Sequence, residues 1–245
     1  KGNRGLIYYL DFSKNLREYL FSNHFYVKYE KDISKLEEGI LNIPGISCMY
    51  TFALITGAEL IVEELDEHYI RSLKDFEKVL EKIFPDLKFT GKLIVEKPVR
   101  INKKTHGYGV MLSGGVDSTH LYTKMRHVKP ELYTIIGGTI PVTNRNLIHR
   151  LKKNIEYFTK KEGVNGNFIE TNIGRVLNEG LLTARYGRNF PQPDPTWWGK
   201  VNHGFVQLSI CAPLTFMNEV AHIFMATSSS LYPDGAHPKI LDTLY

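Results

Sequence analysis

From residue 108 onward the chain alternates short apolar runs with helical patterns, and that alternation permits few folds. "YGVML" (108–112) leads into a helix pattern over about 117–127, and "ELYTII" (131–136) leads through "GGTIPVT" into another over about 144–161. "NFIETNI" (167–173) reads as a third strand and "HIFMATSS" (222–229) as a fourth. Strands separated by helices cross over in right-handed βαβ units, giving a parallel sheet with ligand sites at the carboxyl ends of its strands. The expectation is an α/β fold with a Rossmann-like parallel-sheet domain over 105–245.

The first hundred residues have a different rhythm. "LIYYLDF" (6–12), "HFYVKYE" (24–30), "CMYTFALI" (48–55), "ELIVEEL" (59–65) and "KLIVEKPV" (92–99) are rich in β-branched and aromatic residues and read as strands, with "TGA" (56–58) as a hairpin turn. Asp66 opens a predicted helix whose apolar positions Tyr69, Leu73, Phe76, Leu80 and Ile83 recur every three or four residues until Pro85. One stripe implies a helix lying on one face of a sheet. Residues 1–100 are therefore expected to form a smaller α+β domain, used for dimerisation or for shaping a substrate site, with "RINKKTHG" (100–107) as the linker. Glu63, Glu64, Asp66 and Glu67 read as a solvated helix start.

Composition narrows the class. A chain of 245 residues, 42% hydrophobic and 23% charged, has the balance of a globular protein of two modest domains. No apolar run approaches the roughly 20 residues that cross a bilayer, and Lys-Gly-Asn-Arg does not begin a signal peptide, so a cytoplasmic protein with no membrane association is expected. The start at Lys1 and the end on "KILDTLY" give the further expectation that residues at both ends lie outside this sequence. Cys48 and Cys211 form no CxxC pair, which argues against a disulfide scaffold, a zinc ribbon or a cysteine-held cluster within the chain; both read as buried small hydrophobes. The net charge of +5 permits an acidic partner. Basic residues gather in "KPVRINKKTH" (97–106) and "NRNLIHRLKK" (144–153), which read either as RNA contacts or as a solvated linker and helix face; neither interleaves aromatics with its charges, so RNA is not favoured.

The stretch between the first strand and helix of the second half, "SGGVDST" (113–119), carries the chemistry. Gly114 and Gly115 let the backbone turn tightly and bring amide groups against an anion, and the helix start adds partial positive charge. Ser113, Ser118 and Thr119 offer hydroxyls to phosphate oxygens. Asp117 would be repelled by phosphate unless it holds Mg²⁺ or caps the helix. The loop is not a Walker A motif, since it lacks the Lys of G-x-x-x-x-G-K-[ST]. Its fixed positions arise by chance in such a chain with probability on the order of 10⁻⁴ to 10⁻³.

"SGGVDST" resembles the pyrophosphate loop of the N-type (PP-loop) ATP pyrophosphatases, the superfamily of asparagine synthetase, GMP synthetase and several tRNA-modifying enzymes. The resemblance covers about 105–245 and implies an adenine nucleotide α-hydrolase-like fold with ATP and Mg²⁺ as cofactors. It implies an enzyme that cleaves ATP to AMP and pyrophosphate while activating a substrate oxygen for attack by ammonia, an amine or a sulfur donor. Ser113, Gly114, Gly115, Asp117 and Ser118 match the family loop. Asp117 and Ser118 would act in catalysis, Asp117 through Mg²⁺, with Thr119 adding a contact to the nucleotide. Gly137 and Gly138 lie where such folds pass the adenine and ribose, or else form an ordinary turn.

The acceptor is less legible. "LLTARYGRNFPQPDPTWWGKVNHGFVQL" (181–208) sets Arg185, Arg188, Lys200 and His203 beside Trp197 and Trp198, as a substrate pocket or as structural aromatics packing a loop. "ATSSSLYPDGAHPKILD" (226–242) adds Ser228 and His237, and departs from the corresponding asparagine synthetase segment. Paired cysteines of a thiolating enzyme are absent. The favoured expectation is a ligase that adenylates a small-molecule carboxylate or amide oxygen; the alternative is a tRNA- or nucleobase-modifying enzyme. A homodimer or a separate ammonia or sulfur donor is left open.

Overall fold

In a computed structural model the chain is described over residues 3–102, 105–138, 140–190, 196–227 and 242. Among the described residues eight strands, β1 (Gly5–Tyr9), β2 (His24–Tyr29), β3 (Glu59–Asp66), β4 (Lys92–Val99), β5 (Gly107–Met111), β6 (Glu131–Ile136), β7 (Gly166–Thr171) and β8 (Val220–Phe224), form two sheets. The larger has the order β1-β2-β7-β6-β5-β8. Its β7-β6-β5-β8 part is parallel, as the alternation of strands and helices requires, while β1 and β2 join as antiparallel strands. The smaller sheet is the parallel pair β3-β4.

Successive residues of the parallel strands face opposite ways, and both faces are covered. Val110, Leu112, Leu132, Ile136 and Phe168 pack with Tyr122 of α4 (Val116–Met125) and with Ile148 and Ile155 of α5 (Arg145–Glu162). Met111, Tyr133 and Ile169 belong to the opposite core. That core includes residues of α1 (Glu38–Leu41), α2 (Ile43–Thr56), α3 (Glu67–Ile83), α6 (Glu179–Tyr186), α7 (His203–Ser209) and α8 (Ala212–Met217). Phe76 and Phe205 stack there at 4.2 Å, with Tyr50 of α2 tilted against both.

The expected helix after Asp66 forms as α3. Asp66 accepts from the His68 and Tyr69 N–H groups, and Tyr69, Leu73, Phe76 and Leu80 are buried on one stripe. Residues 48–55 are a correction: they lie within α2, not in a strand, and "TGA" closes no hairpin. Twelve of the fourteen α2 residues are buried, so the segment is apolar on every side and shows no helical period, the pattern that a buried strand also produces. Gly57, with φ 72°, ends α2 and hands the chain to β3.

Strands from both sides of residue 100 share the larger sheet and its core. β2 pairs with β7 in the register Val27↔Thr171. Asn172 reinforces the pairing, accepting from the Tyr26 N–H at 2.8 Å and donating to the His24 carbonyl at 3.1 Å. Cys48 and Cys211 are both fully buried free thiols, as expected. Among the described residues no helix is long and apolar enough to cross a membrane.

Candidate phosphate-binding site

Chain order sets the site. β5, β6 and β7 run outward in sequence on one side of β5, and the chain then returns to place β8 on its other side. The order therefore reverses at β5, and in open α/β sheets the crevice outside the strand carboxyl ends at such a point is where ligands bind. The Ser-Gly-Gly loop leaves the carboxyl end of β5.

Its base is fixed to β6: the Leu112 N–H donates to the Tyr133 carbonyl at 2.8 Å, and the Thr134 hydroxyl donates to the Leu112 carbonyl at 2.7 Å. Gly114 then takes φ +79°, a conformation that other residues adopt only at a cost, and Gly115 becomes the residue before α4. The Gly115 carbonyl accepts from the Ser118 hydroxyl at 3.1 Å, the Thr119 hydroxyl at 2.8 Å and the Thr119 N–H at 3.1 Å. The Ser113 and Ser118 hydroxyl oxygens are 3.0 Å apart, and the Ser113 oxygen accepts from the Gly115 N–H at 3.3 Å. These bonds hold the turn, while the N–H groups of the first turn of α4 have no partner within the helix and face outward with the positive end of its dipole.

Asp117 is exposed in that first turn. The residue at the N-cap position of α4 is Gly115, and among the described residues Asp117 sits inside the first turn rather than at the cap. No cluster of three or more metal-ligating side chains occurs among the described residues. A single carboxylate fits Mg²⁺, which binds through one or two carboxylates, water and substrate phosphates, and does not fit a metal caged by protein alone.

Gly137 and Gly138 follow β6 at the same end of the sheet. Gly137 is buried with φ +107°, and a Cβ on it would lie 1.6 Å from the Thr171 carbonyl oxygen, so a close approach between two chain segments accounts for this glycine. Gly138 is half-buried, with Gln207 Nε2 at 3.6 Å from where a Cβ would sit.

The other expected binding residues have varied surroundings. Arg185 donates to Glu18 Oε1 at 2.7 Å and to the Tyr19 hydroxyl, and lies 4.7 Å from the Tyr19 ring centre, so its charge is engaged within the fold. Arg188 is exposed in a 3₁₀ turn, Gly187–Asn189. Lys200 is buried in a π-helical turn, Trp198–Asn202, and the His203 ring lies 5.8 Å from that of Trp198. Trp197 is fully buried against Tyr186 and Phe190, which supports the structural reading of the aromatics. Ser228 and His237 lie outside the described residues.

Two features left no trace in the sequence pattern. Beside β8, a cleft of about 660 Å³ is lined by polar residues that include Asp66, His68, His222 and Asp242, together with apolar side chains. Beneath the π-helical turn, Glu179 is largely buried: its Oε1 accepts from Asn202 Nδ2 at 3.2 Å, and Asn202 Oδ1 in turn accepts from the Thr51 hydroxyl. Glu179 Oε2 and Trp197 Nε1 are buried with no hydrogen-bond partner among the described residues. Burial raises the Glu179 carboxyl to about 7, against partial relief from the Asn202 amide and the Trp198 N–H.

Compared with family models, curated proteins and solved structures, the chain matches none.

Proposed function

We propose that the chain is an ATP pyrophosphatase-type ligase that binds Mg·ATP by its phosphates and adenylates a small-molecule acceptor. The observation that carries this reading is the Ser113–Gly114–Gly115 turn, which presents a helix start at the carboxyl end of the strand where the sheet order reverses. ATP supplies the electrophilic α-phosphorus: the acceptor oxygen bonds to it as the α–β bridging bond breaks and pyrophosphate leaves, after which a nitrogen nucleophile forms a C–N bond and expels AMP. The protein's part is positional and electrostatic. The outward N–H groups and the Ser113 hydroxyl meet pyrophosphate oxygens, and Asp117 would hold Mg²⁺ against the charge developing on them. No protein nucleophile is needed. The cleft beside β8 has the size of small-molecule sites.

The test is to identify the products formed from labelled ATP with Mg²⁺ and a pool of small carboxylates. AMP and pyrophosphate are expected, with Asp117→Ala lowering turnover by about 10²- to 10³-fold while the melting temperature barely changes. Release of ADP and phosphate instead overturns the reading, as does an Asp117→Ala variant that still forms AMP at the parent rate.

A further inference from the structure

The positive charge of the chain is concentrated in one layer. Over residues 116–162, which hold α4, β6 and α5, nine Lys and Arg stand against four Asp and Glu. The difference, +5, equals the formal charge of the whole chain, so the remaining residues balance. Two of the four acids point inward: Glu131 accepts from the amides of Asn165, Asn167 and Asn218, and Glu162 accepts from the Tyr122 hydroxyl between the two helices. Lys152 also belongs to the fold, 3.2 Å from Glu30 and 4.8 Å from the Phe168 ring centre. The titratable side chains that α5 leaves exposed include Arg145, His149, Arg150, Lys153, Lys160 and Lys161, with Glu156 the exposed acid among them.

Helix stability does not explain this arrangement. Lys160 and Lys161 in the last turn suit the helix dipole, but the first turn holds no acid and begins with Arg145, where positive charge is unfavourable. Arg150 and Lys153 are three residues apart and repel one another on the same face. In the middle of that face Tyr157 is 72% exposed, four residues after Lys153 and three before Lys160. The basic run that looked free of aromatics in the sequence thus gains one from the next turn of the same helix. We infer that the exposed face of α5 docks single-stranded nucleic acid, with its Lys and Arg side chains on phosphates and the Tyr157 ring stacked on a base. Cations around an exposed planar ring are the pairing that non-specific strand binding uses, whereas an acidic peptide would match the charge and leave the ring without a planar partner. α5 is about 27 Å long and starts at the carboxyl end of β6, the end of the sheet that carries the 113–119 loop, so a docked strand leads toward that end.

The experiment measures fluorescence anisotropy of labelled mixed-sequence single-stranded RNA, single-stranded DNA and polyglutamate with the whole protein, without ATP, over a salt series. Both oligonucleotides, or one of them if the 2′-hydroxyl discriminates, are expected to bind with a log–log salt slope of about −0.7 per phosphate contacted. Lys153→Gln combined with Lys160→Gln makes that slope shallower by about 1.4. Tyr157→Ala weakens binding by about 5- to 150-fold and leaves the slope unchanged. All these side chains are exposed, so unchanged melting curves confirm that the variants fold. Polyglutamate binding as tightly as the oligonucleotides, Tyr157→Ala binding like the parent, or no binding at low salt each overturns the proposal. Asp117→Ala is expected to bind like the parent, so this proposal and the ATP reading fail separately.

Discussion

Glu179 makes the stability of the molecule depend on pH in the direction opposite to most carboxylates. Its carboxyl group shifts from an ordinary 4.5 to about 7 in the folded state because burial disfavours the anion more than Asn202 and the Trp198 N–H favour it. The folded state therefore holds a proton that the unfolded chain releases, and stability falls as pH rises from about 4.5 to about 7. A shift of about 2.5 units at 1.36 kcal/mol each amounts to a loss of about 3 kcal/mol, complete above pH ~7. In urea, with a slope of about 3 kcal/mol per molar for a chain of this size, that is a midpoint lower by about 1 M at pH ~8 than at pH ~5. Glu179→Gln removes the titration. The amide carries a fixed cost from filling the Oε2 position with an unpartnered group, about 1–3 kcal/mol, but that cost is independent of pH. The variant's midpoint relative to the parent's should thus rise by about 1 M between those two pH values. Parallel midpoint curves for the two proteins across this range would refute the reasoning.

Two glycines with positive φ separate packing from conformation. Gly137→Ala would place a methyl group against the Thr171 carbonyl and is expected to cost about 3 kcal/mol or more, whereas Gly114→Ala has room beside Leu151 and should cost about 1–2 kcal/mol from its φ alone; equal melting-temperature losses would contradict this. If the loop binds phosphate, Gly114→Ala also weakens ATP binding, measured by calorimetry, and Gly138→Ala, whose methyl group would meet Gln207 Nε2 at 3.6 Å and Ile135 at 3.8 Å in ordinary contact, does not destabilise the fold. Burial pushes both the Cys48 and Cys211 thiols well up, so an aromatic disulfide reagent should label neither in the native protein at pH ~8 and both in urea; rapid native labelling would show that one of these sites opens.

Legibility in the sequence followed how local each determinant was. α3 could be read almost residue by residue because its cap and its stripe lie within the helix itself. α2 was misread because burial on all sides erases the periodicity on which such readings depend; Pro44 in its first turn and Gly57 just beyond its end were the surviving signs. The Ser-Gly-Gly turn was legible because a tight turn with positive φ at Gly114 restricts composition. Glu179 was not, since a Glu in a first helical turn is ordinary and only the packing of α2 and the π-helical turn around it makes it unusual. Tyr157 carries no sign in the sequence of belonging to a basic face because it falls one turn beyond the run of charges.

The seam between β2 and β7 also sets a timetable for synthesis. The Thr171 hydroxyl bonds to the Tyr26 carbonyl across 145 residues, so β2 leaves the ribosome well before the strand it must pair with exists. At roughly 5–20 residues per second the wait is on the order of ten seconds. During it the Phe25, Val27 and Tyr29 side chains, buried in the finished protein, have no β7 to pack beside. The β5–α4–β6–α5–β7 units contact near neighbours and close quickly, leaving the antiparallel flank to be added last. β2 is thus a strand whose inward side chains stay uncovered by β7 until synthesis has passed residue 171.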